Sequence, residues 1–385
     1  MNTDNGGNLQ KTLPGRWLFA AGDVGGARAL LPVIRECANQ GIPFGVLAHG
    51  QIASETDTEW TMIDPPEKSD TPRMSVLLDN LKAGAFVFAS SVHDTFALTM
   101  ARQAAAKHIP LVHVLDNWTA YRHRLENDGL PLLHPDVYTA MDSLAFEEAV
   151  AEGIDPAILK ITGHPALADL GRQLEQQSDK KPPASSRRQI VFVSEPVAAD
   201  QSGDSSSPFF RGYTESQVLD SFCRALQPHA GEVTVSILPH PRENPGRLHR
   251  TWEEAKGLLE GKLTDGTDGR GHVLRSDGVA GMASLLLYEA WLAGKPVISI
   301  QPDLRRHDLR MLSRRKEIHF ADTDSKINAT VNNWLSDIRK PVKRRPHPDL
   351  VQHRESAAKI CSLLKDMTAT MPGAEREKTD QGRLT

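Results

Sequence analysis

Three short stretches of this 385-residue chain bring together side chains able to move protons or hold anions, and each lies at or just beyond the end of an apolar run. In Leu111–Arg124, LVHVLDNWTAYRHR, a strand pattern gives way to Asp116, Asn117 and Trp118, with Tyr121, Arg122 and Arg124 close behind. A carboxylate at a strand end becomes a general base when burial raises its pKa, and arginines bind anionic groups through paired hydrogen bonds. Asp116 is the first candidate for that base, and Asp94 in Val92–Thr95, VHDT, is the second. A plainer alternative has Asp116 capping the next helix and Arg122 or Arg124 paired with Glu126. In Leu238–Pro245, LPHPRENP, two prolines hold His240 on a stiff loop where it can donate to a phosphate or act as acid or base; Arg242 follows two residues on. Ile161–Leu167, ITGHPAL, sets His164 in a Gly-His-Pro turn.

Two glycine-bearing segments supply backbone. Gly281–Pro302, GMASLLLYEAWLAGKPVISIQP, reads as a loop, a helix, a tight turn and an apolar strand. The first N–H groups of a helix lack partners within it and suit phosphate oxygens. Gly281, Met282, Ala283 and Ser284 are therefore expected around a diphosphate, Glu289 on a ribose diol, and Gln301 at the far end of the same unit. Near the start of the chain, Gly22, Asp23, Gly25 and Gly26 form a turn between a strand and a helix. That turn is not GxGxxG, and no acidic residue ends a clear second strand, which argues against a dinucleotide-dependent dehydrogenase.

The elements that must carry these residues alternate. Strand patterns fall at Trp17–Ala21, Phe44–Ala48, Ala85–Ala89, Leu111–Leu115, Val137–Ala140 and Leu159–Thr162, with helical stretches such as Ala27–Gln40 and Thr95–His108 between them. Gln173–Arg188, polar and with a Pro pair, has the composition of a linker. Strands resume at Gln189–Ser194, Val233–Leu238, His272–Leu274 and Pro296–Ile300. The expectation is an α/β protein of two Rossmann-like domains, 16–172 and 189–338, facing across a cleft. A basic segment and closing helix are expected over 339–367, with disordered ends at 1–15 and 368–385. Asp200–Phe210 reads as a variable loop or a lid.

Composition narrows the class. Net charge is −4, so nothing global favours nucleic acid, although Arg339–Pro346, RKPVKRRP, is locally basic and suits either solvent or an anionic surface. Cys37, Cys223 and Cys361 are too far apart for a zinc spacing and fit packed thiols in a reducing cytosol. With no signal-peptide core and no long uncharged apolar run, the chain is expected to be cytoplasmic, with at most peripheral membrane contact.

In combination these segments resemble the GT-B glycosyltransferases and their relatives, the UDP-N-acetylglucosamine 2-epimerases. The glycine turn with Pro32 late in its helix looks like that group's opening loop, and Ala145–Leu170 is similar to an epimerase segment ending in TGNP, with His164 replacing Asn. LPHPRENP resembles the HPNP loop; GMASLLLYEA resembles GxGxxxEA with Ser284 for the second Gly. The group's GDT aspartate and HVEAG glutamate would correspond to Asp94 and Asp116, 22 residues apart, with His93, Asn117 and Trp118 as departures. LDNWxxYRxR reads like transferases of bacterial surface polysaccharides. The resemblance implies a nucleotide-sugar glycosyltransferase with a UDP-linked donor, with the diphosphate at Ser284, Glu289 on the ribose, and His240 and Arg242 on phosphate. Gly22, Asp23, Gly25, Gly26, Asn117, Trp118, Tyr121, Arg122, Arg124 and His164 would line the side of a glycan or lipid-linked acceptor. No metal or other cofactor is required, since helix N–H groups, His240 and Arg242 can neutralise the leaving group, and a homodimer stays open. The alternatives are a 2-epimerase, hydrolysing or not, with Asp94, Asp116 and His240 moving protons, and a noncatalytic nucleotide-sugar-binding protein.

Overall fold

The computed structural model describes residues 15–54, 60–91, 94–126, 129–178, 187–201, 205–207, 210–266, 268–306, 312–315, 317–340 and 345–369. They divide into two compact units, one of Met1–Ala168 with Gln352–Thr385 and one of Asp169–Val351. Each is built on an all-parallel sheet.

The first unit holds seven strands: β1 (Arg16–Ala21), β2 (Phe44–Leu47), β3 (Met62–Ile63), β4 (Ala83–Ala89), β5 (Leu111–Val114), β6 (Val137–Ala140) and β7 (Leu159–Ile161), in the order β3-β2-β1-β4-β5-β6-β7. The inner strands RWLFAA, AGAFVFA and LVHV are near-continuous apolar runs because helices cover both faces of a parallel sheet. Helix Val24–Asn39 packs its buried Ala27, Leu30, Val33, Ile34 and Cys37 into that core, and Asp23 caps it by accepting from Gly26 N at 2.8 Å. Chain order reverses between β1 and β4, so their carboxyl ends flank the crevice where such sheets take ligands.

The second unit repeats the scheme with β8 (Arg188–Val193), β9 (Val233–Leu238), β10 (Glu260–Leu263), β11 (Gly278–Gly281), β12 (Val297–Ile300) and β13 (His319–Ala321), ordered β10-β9-β8-β11-β12-β13. Its reversal lies between β8 and β11. Two Rossmann-like α/β units are therefore present, as the alternation predicts.

Several local expectations are corrected. His272–Leu274 is not a strand: it lies in helix Gly269–Arg275, capped by Asp268, and the strand is the glycine-bounded GVAG that follows. Gln173–Ser178 continues helix Leu170–Ser178 rather than starting a linker, and Arg188 already belongs to β8; residues 179–186 lie outside the described ones. The closing helix is two, Leu350–Arg354 and Ser356–Ala369, and the second buries Ile360, Cys361 and Leu364 in the core of the first unit. Of the expected loop Asp200–Phe210, residues 202–204 and 208–209 lie outside the described ones, and Asp200 ends a short helix, Val197–Asp200. The expected disordered ends, 1–15 and 368–385, lie almost wholly outside them too.

Candidate functional site

In the first unit the carboxyl ends of β1, β2, β4 and β5 gather one buried acid, one acid–histidine pair and a glycine turn. Gly22 and Gly25 are glycines because of the acids beside them. A Cβ on Gly22 would overlap Asp94 Oδ2, and one on Gly25 would overlap Asp116 Oδ2. The turn that the sequence suggested for close approach of a ligand is thus a seat for two aspartates.

Asp116 follows β5 and is 8% exposed. Its Oδ1 lies 2.5 Å from Arg124 Nη1. Burial, reinforced by the charge of Asp23 and opposed by Arg124, pushes its pKa up to about 6. Arg124 is fixed in turn: Nη1 donates to Ser90 O at 2.8 Å and Nε to Thr119 O at 3.1 Å. Asp94 has the opposite character. Burial raises its pKa, but hydrogen bonds from His49 and from Phe96 N outweigh that and leave it lowered. His49 Nε2 lies 2.7 Å from Asp94 Oδ2, its ring stacks on Phe96 at 4.2 Å, and Asp94 Oδ1 accepts from Phe96 N at 2.9 Å.

The sequence reasoning missed His49. It stands two residues past β2, and the following Gly50 has φ +57 and a missing Cβ that would overlap Gly22 O. A strand-end histidine before a glycine, beside the strand that opens the fold, was the available signal.

Most of the expected acceptor-side residues are occupied inside the unit. Trp118 is 1% exposed and donates from Nε1 to Asp142 at 2.9 and 3.0 Å. Tyr121 is equally buried and donates to Glu148 Oε2 at 2.6 Å. Asn117 Oδ1 accepts from Trp118 N at 2.8 Å, and Arg122 Nε donates to Glu126 Oε1 at 2.7 Å, as in the plainer alternative. His164 is also structural. Its Nδ1 accepts from Ala166 N, so the network assigns the ring proton to Nε2, which donates to Asp116 O at 3.0 Å; His164 N donates to His353 Nδ1 at 3.0 Å. These residues shape the Asp116 loop.

The second unit places its expected ligand residues around the ends of β8, β9 and β11. Helix Leu285–Leu292 starts where the sequence placed it, with Ser284 as cap. Its approach is filled by Glu195, which follows β8: Oε1 accepts from Ala283 N at 2.6 Å, Ser284 N adds a second backbone hydrogen bond, and burial raises the Glu195 pKa. Glu289 is 4% exposed and held in a fork by Arg270, at 2.6 Å from Nε and 2.9 Å from Nη2. Arg242 grips Asp200 at 2.7 and 3.1 Å. His240 Nδ1 accepts from Arg242 N at 3.1 Å, and Glu243 ties the loop to Ser194 at 2.7 Å. Two expected contacts face inward. Gln301 is fully buried and donates to Tyr213 OH at 3.0 Å, and Met282 is fully buried. Gly281 serves packing, since a Cβ there would lie 2.7 Å from Val193 O.

Among the described residues no group of three or more His, Cys, Asp or Glu side chains could hold a metal ion, and no helix is long and apolar enough to cross a membrane. Arg339 of the basic run pairs with Glu232 at 2.7 Å; residues 341–344 lie outside the described ones.

Two Rossmann-like units with these strand orders define a GT-B-like fold, the class that the sequence resembles. More particularly, the fold is that of UDP-N-acetylglucosamine 2-epimerases. A putative epimerase from Listeria monocytogenes matches with TM-score 0.63 at 14% identity, over 92% of this chain and 96% of that one. The Neisseria meningitidis enzyme bound to UDP-GlcNAc matches with TM-score 0.62 at 12% identity, over 92% and 100%. The Methanocaldococcus jannaschii enzyme with UDP-GlcNAc and UDP matches with TM-score 0.63 at 13% identity, again over 92% and 100%. No protein-family model and no curated protein matches the chain in sequence.

Proposed function

We propose that the chain is a nucleotide-sugar enzyme of the 2-epimerase type, acting on a UDP-linked N-acetylhexosamine. The observation that carries this is the pair of unlike acids on one glycine turn: Asp116, pushed up to about 6, and Asp94, lowered by its bond to His49. Two titratable groups driven apart by their surroundings are the usual basis of an acid and a base in one site. The epimerase fold of the neighbours supports the same reading and favours it over glycosyl transfer, the first expectation from sequence.

Inverting C2 of such a sugar requires its C–H bond to break and reform on the other face. No carbonyl acidifies that proton, so its loss is coupled to departure of the diphosphate from C1. Asp116 takes the C2 proton, the C–H electrons form the C1–C2 double bond, and UDP leaves with the C1–O pair. Asp94, ionised, orients His49, which carries the proton for return to the opposite face. UDP adds back at C1; water adding there instead gives the hydrolysing variant. Taken by itself, the second unit offers candidate nucleotide contacts: the start of helix Leu285–Leu292 and His240 for phosphate, and Glu289 for ribose once Arg270 yields.

The test is an NMR time course of UDP-GlcNAc with the full chain in deuterated water. Deuterium entering C2 is the expected result. Binding without exchange removes the epimerase and leaves transfer to an acceptor, with Asp116 as base on its hydroxyl; no binding removes both.

A further inference from the structure

The second unit already holds an anion where its nucleotide diphosphate is proposed to bind. Glu195 stands at the end of β8, on one side of the strand-order reversal, and reaches the loop that follows β11 on the other. It accepts from Ala283 N at 2.6 Å and from Ser284 N, the backbone donors that lead into helix Leu285–Leu292. A helix start carries a fractional positive charge, and a carboxylate and a phosphate satisfy it through the same oxygen-to-N–H geometry.

Two arginines among the described residues are bound to carboxylates here as well. Arg211 lies 3.9 Å from Glu195 and 3.4 Å from Asp200, while Arg242 binds Asp200 with both terminal nitrogens. Arg211 and Arg242 are therefore already neutralising carboxylates before a diphosphate arrives. A purely structural side chain in this position needs only an acceptor; a full negative charge adds repulsion against the ligand.

We infer that Glu195 is a built-in competitor for the diphosphate seat and that its displacement sets the nucleotide affinity of the second unit. This rests on the reading that the unit binds a nucleoside diphosphate. Glu195→Gln keeps the shape and the amide-oxygen acceptor for Ala283 N while deleting the charge, so it separates competition from loop support; Glu195→Ala deletes both.

Calorimetric titration of the full-length wild type and both variants with UDP, inorganic pyrophosphate and uridine tests the inference. Circular dichroism and thermal midpoints establish that each variant is folded. Removing a like charge a few ångströms from the ligand is expected to tighten UDP and pyrophosphate about tenfold or more in Glu195→Gln, with uridine unchanged. Equal or weaker UDP binding in a folded Glu195→Gln, or an equal gain for uridine, overturns the inference while wild-type UDP binding keeps the parent reading. Failure of all three proteins to bind any probe removes both.

Discussion

The two units place charge at equivalent points of their sheets and manage it in opposite ways. At the β1/β4 reversal the carboxylates lie against glycines, and the buried one, Asp116, has Arg124 beside it and a raised pKa. At the β8/β11 reversal the acids are spent inside the unit: Glu195 on backbone N–H groups, Asp200 on Arg211 and Arg242, Glu289 on Arg270. On the proposed reading the first arrangement exchanges protons and the second exchanges one anion for another, and the two edges differ in what stands just past the first strand: Gly22 after β1, Ser194 and Glu195 after β8.

Breaking the first edge should cost rate. Asp116→Asn is expected to lower kcat about 10³-fold with nucleotide affinity unchanged, measured by C2 exchange and calorimetry. Gly25→Ala leaves every functional group in place but forces Asp116 aside; a loss of about 10²-fold, with an unchanged circular dichroism spectrum, would show that position alone matters.

The same acid fixes a pH signature. Its folded pKa of about 6 lies above its unfolded value, so the folded state holds the proton more tightly. Stability therefore falls as pH rises from about 4 to about 6, while activity rises through the upper end of that window. Asp116→Asn should abolish both trends, as read from thermal midpoints and initial rates.

The second edge should instead register in stability. Glu289→Ala leaves Arg270 without its fork and is expected to cost about 2–3 kcal/mol, measured by urea denaturation, together with weaker UDP binding. His49→Gln, which removes the proton carrier but keeps a hydrogen bond to Asp94, should cost about 10²-fold in kcat with no change in thermal midpoint.

Alternation of apolar strands and helical stretches was enough to read two α/β units, because parallel strands buried on both faces leave long apolar runs. What escaped were strands without that signature: Met62–Ile63 is two residues long, EGKL is largely exposed, and GVAG takes its place from Gly278 packing on Ile338 and Trp334 rather than from bulk. In the site, Asp94, Asp116 and the glycine turn were legible because strand ends mark the ligand edge. The inward roles of Trp118, Tyr121, His164 and Gln301 were not, since a polar strand-end residue reads the same whether its partner is a ligand or a buried neighbour. His49 carried only the mark of a strand-end histidine before a glycine, and its pairing with Asp94 depends on Gly22 and Asp94 being neighbours in space.

The return of the chain through Ser356–Ala369 has a consequence for biogenesis. Ile360, Cys361 and Leu364 belong to the core against helix Val24–Asn39, and His353 holds the His164 turn that in turn holds Asp116. Burying Ile360 or Leu364 is worth roughly 1.5–3 kcal/mol each. In chain order, the helix Ser356–Ala369 that packs on helix Val24–Asn39 is made only after the whole of Asp169–Val351. The first unit is begun first and finished last, and a gene for it alone must graft Gln352–Ala369 directly behind Ala168.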